Sequence, residues 1–300
     1  MKRILLTGAS GQVAFPLGRS LVAAGHEVWG LGRLLRQGER EQLEAAGIRP
    51  FAADLAAGIF AGLPRDFDQV LNFAVAKSGR WDRDLAANAE GLGLLMAHCR
   101  ESGALLHCSS TAVYEAAGHT LLTETHPLGD NHRVFMPTYS ICKIAAEVVA
   151  RTVARSFEIP TTIARLNVPY GDGGGWPAIH LEQVLAGSPI AVSPDAPNIY
   201  NPIHEDDILA MVPRLLAIAS VPATVVNWGG SEVASIEEWS EYLGDLVGKP
   251  ARFVTTARTI GPVAIDVARM HELVGPTRVG WRDGMRRMVA ARHPEIALRS

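Results

Sequence analysis

The first fourteen residues constrain this chain most. Ile4, Leu5 and Leu6 make an apolar run long enough for one buried strand. Thr7-Gly8-Ala9-Ser10-Gly11 is a tight glycine turn, and a helical pattern opens at Gln12 and carries Leu17, Leu21 and Val22 towards Gly25. Strand, glycine turn and helix in this order form the opening unit of a dinucleotide-binding fold. One glycine permits the sharp turn, a second lets the backbone approach a pyrophosphate, and the pyrophosphate rests on amides at the helix start. Gly8 and Gly11 take these two places. Ala14 stands where a third glycine is usual and is small enough to keep helix and strand close.

A chain of 300 residues, 48% of them hydrophobic, can bury an α/β core and a smaller lobe. Its net charge of −3, with acids and bases mixed along its length, leaves no basic footprint for nucleic acid. Cys99, Cys108 and Cys142 lack metal-ligand spacing and read as reduced thiols, so no metal is expected. No apolar run approaches a membrane span, and no leader is expected ahead of the first strand. The expectation is a cytoplasmic protein that acts on a small molecule, with neither a nucleic acid nor a membrane as partner.

The alternation of apolar runs and helical patterns continues. Strands are predicted over 26–31, 48–53, 68–74, 104–108 and 159–166, with long helices over 83–101 and 139–157. At the end of the second strand, Gly32 occupies the place where an acid would bind the ribose hydroxyls of NAD. Arg33 beside it suits the 2′-phosphate of NADP, or it solvates the surface. Asp54-Leu55 closes the third strand, where a carboxylate either faces the ligand crevice or caps the next turn. Small residues, Ala74-Val75-Ala76, follow the fourth strand and leave room for a flat cofactor. The fifth strand opens into Ser109-Ser-Thr-Ala-Val-Tyr114, a polar end on the ligand side of a parallel sheet. Tyr139 and Lys143, four residues apart, share one helix face. Beyond 172 the pattern is patchwork: a helix over 179–186, a proline-rich stretch, the return at Tyr200 to Asp207, a capping box at Ser235, and closing helices.

Taken in order, these stations resemble the extended branch of the short-chain dehydrogenase/reductase superfamily, the NAD(P)-dependent epimerase/dehydratase group. The matching residues are Thr7 to Gly11, Asp54-Leu55, Asn72 to Ala76, Asn88 before Gly91, Ser109 to Tyr114, Tyr139 to Lys143, Arg165 to Gly171, Pro202 to Asp207, Asp266 and Gly280-Trp281. The set spans nearly the whole chain. The resemblance implies a doubly wound parallel Rossmann sheet (1–171 with 200–230) and a smaller, discontinuous C-terminal substrate lobe (172–199 with 231–300). It implies a homodimer through the two long helices. Tyr139 would exchange a proton at the reacting oxygen, since a free phenol ionises only near pH 10 and a neighbouring ammonium favours the phenolate. Lys143 would supply that charge and hold the nicotinamide ribose. Ser110 would polarise the oxygen, with Ser109 and Thr111 as the neighbours that could replace it. Cofactor contacts would come from Gly8, Ser10, Gly11, Gln12, Val13, Arg33, Asp54, Leu55, Ala74, Val75, Ala76, Tyr139, Lys143 and Pro169. Substrate contacts would come from Thr111, Asn167, Tyr170, Trp176 and Tyr200.

The departures from that group narrow the function. Nucleotide-sugar members commonly carry an arginine where this chain has Tyr200 and an asparagine where it has Val168, with Asn167 displaced by one. Dehydratases place acidic residues where Thr111-Ala112 stands. The leading expectation is an oxidoreductase interconverting an alcohol and a ketone or aldehyde through a Ser-Tyr-Lys relay, with NADP preferred and NAD possible. The alternatives are a nucleotide-sugar epimerase or dehydratase with retained NAD, and a non-catalytic NADP-sensing protein. Members of the last kind typically lose the tyrosine or lysine that this chain keeps.

Overall fold

The computed structural model describes residues 1–299. The chain opens as β1 (Arg3–Thr7), α1 (Ala14–Ala23), β2 (Glu27–Gly32), α2 (Glu39–Ala45), β3 (Arg49–Ala52) and β4 (Gln69–Asn72). It continues through α3 (Trp81–Leu85), a π turn (Ala86–Glu90), α4 (Gly91–His98), β5 (Ala104–Ser110), α5 (Tyr139–Phe157) and β6 (Thr161–Leu166). It then leaves the sheet as β7 (Pro169–Gly171), β8 (Gly174–Gly175), α6 (Trp176–Ala186), β9 (Ile190–Val192) and β10 (Ile199–Tyr200). It returns through β11 (Ile203–His204) and α7 (Glu205–Ala217) to β12 (Thr224–Trp228). The remainder is β13 (Ala234–Ser235), α8 (Ile236–Val247), β14 (Phe253–Thr255), α9 (Ala268–Leu273) and α10 (Trp281–Arg292).

Seven strands form one parallel sheet in the order β12-β6-β5-β4-β1-β2-β3. Strand order reverses between β1 and β4, and a crevice opens beyond their carboxyl ends at that point. β1 shows why the sheet is buried on both faces. Ile4 and Leu6 join the cluster that holds Leu17 of α1 and Val212 of α7. Leu5 points the other way, among Leu95 of α4 and Ala150 of α5. A third cluster lies outside the sheet, where α6, α8 and α10 pack Leu181, Trp239, Leu243 and Met288 around Tyr170 and Tyr200.

Most predicted elements fall within two or three residues of the observed ones, and α5 starts and ends where its apolar spacing places it. The expected helix over 83–101 is interrupted. Its path runs from Trp81 to His98 with a π turn in the middle. Asn88 in that turn is tied to the strand exit, donating to the Ala76 carbonyl at 2.7 Å and accepting from the Ala76 amide at 2.9 Å. Gly91, just after it, lies against the carbonyl of Leu55, so any side chain there would overlap backbone. The capping box at Ser235 and Glu238 is present. Among the described residues, no helix is long and apolar enough to cross a membrane.

Candidate active site

Two cavities lie near the carboxyl ends of the strands. The first, of about 280 Å³, is lined by Gly8, Ser10, Gly32, Arg33, Arg36, Glu39, Asp54, Leu55, Ala74, Val75, Ala76 and Arg83, among others. Its floor depends on Gly8, whose φ of +66° suits glycine. A Cβ there would come within 2.9 Å of the Ala74 Cα. The glycine turn and the exit of β4 therefore touch backbone to backbone and leave an open slot above them. Thr7 fixes the contact, its Oγ1 accepting from the amides of Phe73 at 3.2 Å and Ala74 at 3.0 Å. Gly11 precedes α1, and its amide closes the turn on the Gly8 carbonyl at 2.8 Å. A glycine floor, a helix start and small residues along one wall fit a dinucleotide.

Charge collects at the far end of this cleft. Asp54 resolves the choice left open by sequence, because it does both things. Its carboxylate accepts from the Ala56 amide at 3.1 Å as a cap, and it lines the cleft, where Arg83 reaches it at 2.8 Å. Partial burial works to raise its pKa, but the Arg83 hydrogen bond, the Ala56 amide and the charges of Arg83 and Arg33 together hold it below the usual carboxylate range. Arg33 lines the cleft without a carboxylate partner of its own within ion-pair distance among the described residues. Sequence reasoning missed Glu39. Its carboxylate lines the same cleft, accepts from the Ser10 hydroxyl and accepts from the Arg36 guanidinium at 3.0 Å. Its spacing of three from Arg36 was the available signal, but nothing local pointed it towards the glycine turn.

The second cavity, of about 460 Å³, is lined by residues from eight separate segments. Ser110 and Thr111 come from the end of β5, Tyr139 from the first turn of α5, and Asn167, Val168 and Pro169 from the exit of β6. Trp176 and Ile179 come from α6 and Tyr200 from β10; Lys77 directly follows Ala76, and Gln12 lies two residues past Ser10, both of which line the first cavity. Thus Ser110, Thr111, Tyr139, Asn167, Trp176 and Tyr200 border one space. Gln12 and Pro169 border it as well, and with Val13 they also frame a small neighbouring recess.

The strand-end hydroxyls separate by direction. Ser109 turns away from the cavity and donates to Glu147 at 2.6 Å, joining the buried pair that Glu147 makes with Arg165 at 2.8 Å. Ser110 points to the other side, where its Oγ accepts from the Ala112 amide at 3.2 Å and begins a 3-10 turn. Lys143 is buried one helical turn beyond Tyr139. Its ammonium donates to the Cys108 carbonyl at 2.7 Å and stands 5.9 Å from the centre of the Tyr139 ring. The start of α5 is held from outside. Thr138 donates at 2.6 Å to Asp84, a fully buried carboxylate that also accepts from the Ser78 amide and hydroxyl and from the Gly79 amide. His132, which the sequence reading did not single out, lies with its ring 5.8 Å from that of Tyr139, and burial lowers its pKa to about 4.

One expected substrate contact is misplaced. Tyr170 does not border the second cavity. It is buried, its hydroxyl donates to the Trp281 carbonyl at 3.3 Å and its ring meets His204 edge-on. In the short strand β7 its side chain falls on the face that packs against α10, a phase that sequence alone left free. Asn167 borders the cavity but spends its amide within the protein. It donates to Thr111 Oγ1 at 3.0 Å and to the Val263 carbonyl at 2.9 Å, and accepts from the Val168 and Asn201 amides. The His204 to Asp207 stretch is structural: His204 caps α7, and Asp207 accepts from the Arg278 and Val279 amides. Among the described residues, no cluster of His, Cys, Asp and Glu is arranged to hold a metal.

Comparison with known proteins identifies the family and the fold. The family model for the NAD dependent epimerase/dehydratase family matches residues 4–229. The dTDP-4-dehydro-6-deoxy-D-allose reductase of Streptomyces bikiniensis is 26% identical, with 95% of each chain covered. A UDP-glucuronic acid 4-epimerase mutant from Bacillus cereus, solved with a fluorinated UDP-sugar and NAD, superposes with a TM-score of 0.84 at 20% identity, covering 98% of this chain and 99% of that one. The dTDP-glucose 4,6-dehydratase of Streptomyces venezuelae, solved with NAD, gives a TM-score of 0.81 at 23% identity, covering 98% and 97%. With a glycine-floored cleft, a cavity bordered by Ser110 and Tyr139, and a family match over most of its length, this chain belongs to the NAD-dependent epimerase/dehydratase family.

Proposed function

We propose that the protein is an NAD(P)-dependent oxidoreductase that interconverts an alcohol and a ketone or aldehyde. The observation that carries this reading is the convergence of Ser110 and Tyr139 on one cavity, with buried Lys143 on the same helix face as Tyr139. When bound, the dinucleotide takes or supplies the hydride, so alcohol and oxidised cofactor balance carbonyl compound, reduced cofactor and one proton. Tyr139 moves that proton at the reacting oxygen. Ser110 accepts from the Ala112 amide and so keeps its own hydroxyl proton for the same oxygen. Lys143 spends one of its three donors on Cys108 and has two left for the ribose and the tyrosine side of the site. Residues 1–171 with 200–230 serve the cofactor, and 172–199 with 231–300 close over the substrate. We place the working form as a cytoplasmic homodimer through α4 and α5, which a monomer in sedimentation at micromolar concentration would contradict.

For the cofactor, Gly32 neither binds nor repels and Arg33 can fork onto a 2′-phosphate, which favours NADP. Glu39 acts against that preference, since its carboxylate lines the same end of the cleft and suits ribose hydroxyls. A second reading, a nucleotide-sugar epimerase or dehydratase with retained NAD, draws support from the solved epimerase and dehydratase, both of which hold bound NAD; the sugar-nucleotide relative that is a reductase fits net oxidoreduction instead. Absorbance at 340 nm separates the two. Net oxidoreduction changes it in proportion to product, whereas a hydride that leaves and returns does not.

A further inference from the structure

We infer that the second cavity is built for an uncharged, largely apolar carbonyl compound or alcohol, and not for a nucleotide diphosphate; this rests on the proposed role of Tyr139 there. The first ground is charge. Of all the residues lining the cavity, Lys77 alone carries a fixed charge, and it sits on the β4 exit next to Ala74–Ala76, which line the cofactor cleft. His132 is held neutral above about pH 4. A diphosphate taken from water needs guanidinium or ammonium groups around it, and this wall has none beyond the cofactor edge. The second ground is hydrogen bonding. Asn167 is saturated by Thr111, Val263, Val168 and Asn201. Tyr200, at the position where nucleotide-sugar members carry arginine, donates its hydroxyl to the Gly261 carbonyl at 2.5 Å and presents its ring. Apart from Gln12 and Lys77, the groups with capacity left are Ser110, Thr111, His132 and Tyr139, which come from the β5 end and the stretch that runs from His132 into the start of α5. Together they suit one oxygen.

The third ground is the remaining wall. Leu166, Val168, Trp176, Ile179, Ile260 and Val263 close it, and Trp176 meets Tyr200 edge-on with ring centres 5.3 Å apart. Phe135 and Ile179 also line it, yet each remains 57% exposed. Two large apolar side chains left open at one rim would be covered by an apolar ligand.

The test is calorimetric titration of the cofactor-loaded protein with 4-phenyl-2-butanone, 2-octanone, UDP and UDP-glucose, alongside an Ile179→Lys variant checked for an unchanged melting temperature. The expected result is saturable binding of at least one ketone, none of UDP or UDP-glucose at millimolar concentration, and ketone affinity about tenfold weaker in Ile179→Lys, equivalent to about 1.4 kcal/mol. Tighter binding of UDP or UDP-glucose than of the ketones, binding of neither class, or indifference of ketone affinity to Ile179→Lys would overturn the inference. Turnover is scored separately. A ketone bound but never reduced supports this pocket and counts against the proposed activity. Tyr139-dependent turnover of UDP-glucose does the reverse.

Discussion

The glycine-floored cleft and the second cavity, proposed here for cofactor and substrate, are built in opposite ways. The cleft is made of backbone, small residues and charge, with Arg33, Arg36, Glu39, Asp54 and Arg83 around its far end. The cavity is made largely of apolar and aromatic side chains, with a few uncharged polar groups and a single cation, Lys77. The cleft takes its shape from consecutive residues: Gly8 against Ala74, and small side chains after β4. The cavity takes its shape from the third hydrophobic cluster, which gathers segments more than a hundred residues apart. On the proposed function, binding of the dinucleotide and recognition of the substrate are thereby divided between local motif and tertiary packing.

The largest effect should come from the residue that connects the two halves. Tyr139→Phe should lower kcat by about a thousandfold while cofactor affinity stays within about twofold of wild type, because only the proton carrier is removed. Ser110→Ala should cost about ten- to a hundredfold by the same assay. Loss of cofactor affinity in step with activity would place Tyr139 in the cleft and not at the reacting oxygen.

The same division explains what could be read from sequence. The glycine turn, the small run Ala74–Ala76 and the helix-spaced Tyr139 and Lys143 are local patterns with physical reasons, and they mark the sheet and the floor of the cleft. The choice among Ser109, Ser110 and Thr111 was open because alternation along β5 is visible but its phase is not; Glu147 and Arg165 set that phase by drawing Ser109 away. Tyr170 was misplaced for the same reason in β7. Glu39 reaches Ser10 from a different βα unit, and His132 reaches Tyr139 across a turn, so neither left a periodic mark.

Asp84 tests whether the boundary between the halves is rigid. It is a fully buried acid that no basic side chain pairs with among the described residues. Instead it is held by four hydrogen bonds joining the 78–79 loop to the start of α5. Asp84→Asn should lower unfolding stability by about 2–4 kcal/mol, read by urea denaturation, since an amide cannot accept all four. Thr138→Val should cost about 1 kcal/mol and reduce kcat more than KM.

Cofactor selectivity should respond more gently. NADP should bind roughly ten- to a hundredfold more tightly than NAD, and Arg33→Ala should erase most of that difference. Glu39→Gln should strengthen NADP binding about three- to tenfold by removing a like charge. Equal losses for both cofactors in Arg33→Ala would show that the guanidinium stacks on the adenine and does not read the phosphate.

The smallest effect is on pH. Burial lowers both His132 and His180 to about 4, and His180 accepts at 2.9 Å from the Trp239 indole, which requires the neutral ring. Between about pH 6.5 and 4 the unfolded chain binds more protons at these sites than the folded one, so stability should fall as pH falls through that window. Melting temperature followed from pH 7 to 4 should decline steadily, and His180→Asn should flatten part of the slope.

The most direct test of the division is cofactor stoichiometry at 340 nm with 4-phenyl-2-butanone or 2-octanone in wild type and Tyr139→Phe. One reduced cofactor consumed per alcohol formed in wild type, and none in a Tyr139→Phe protein that still binds cofactor, is the predicted result. No absorbance change with either ketone, together with isomerisation or dehydration of UDP-glucose at constant absorbance, would contradict it.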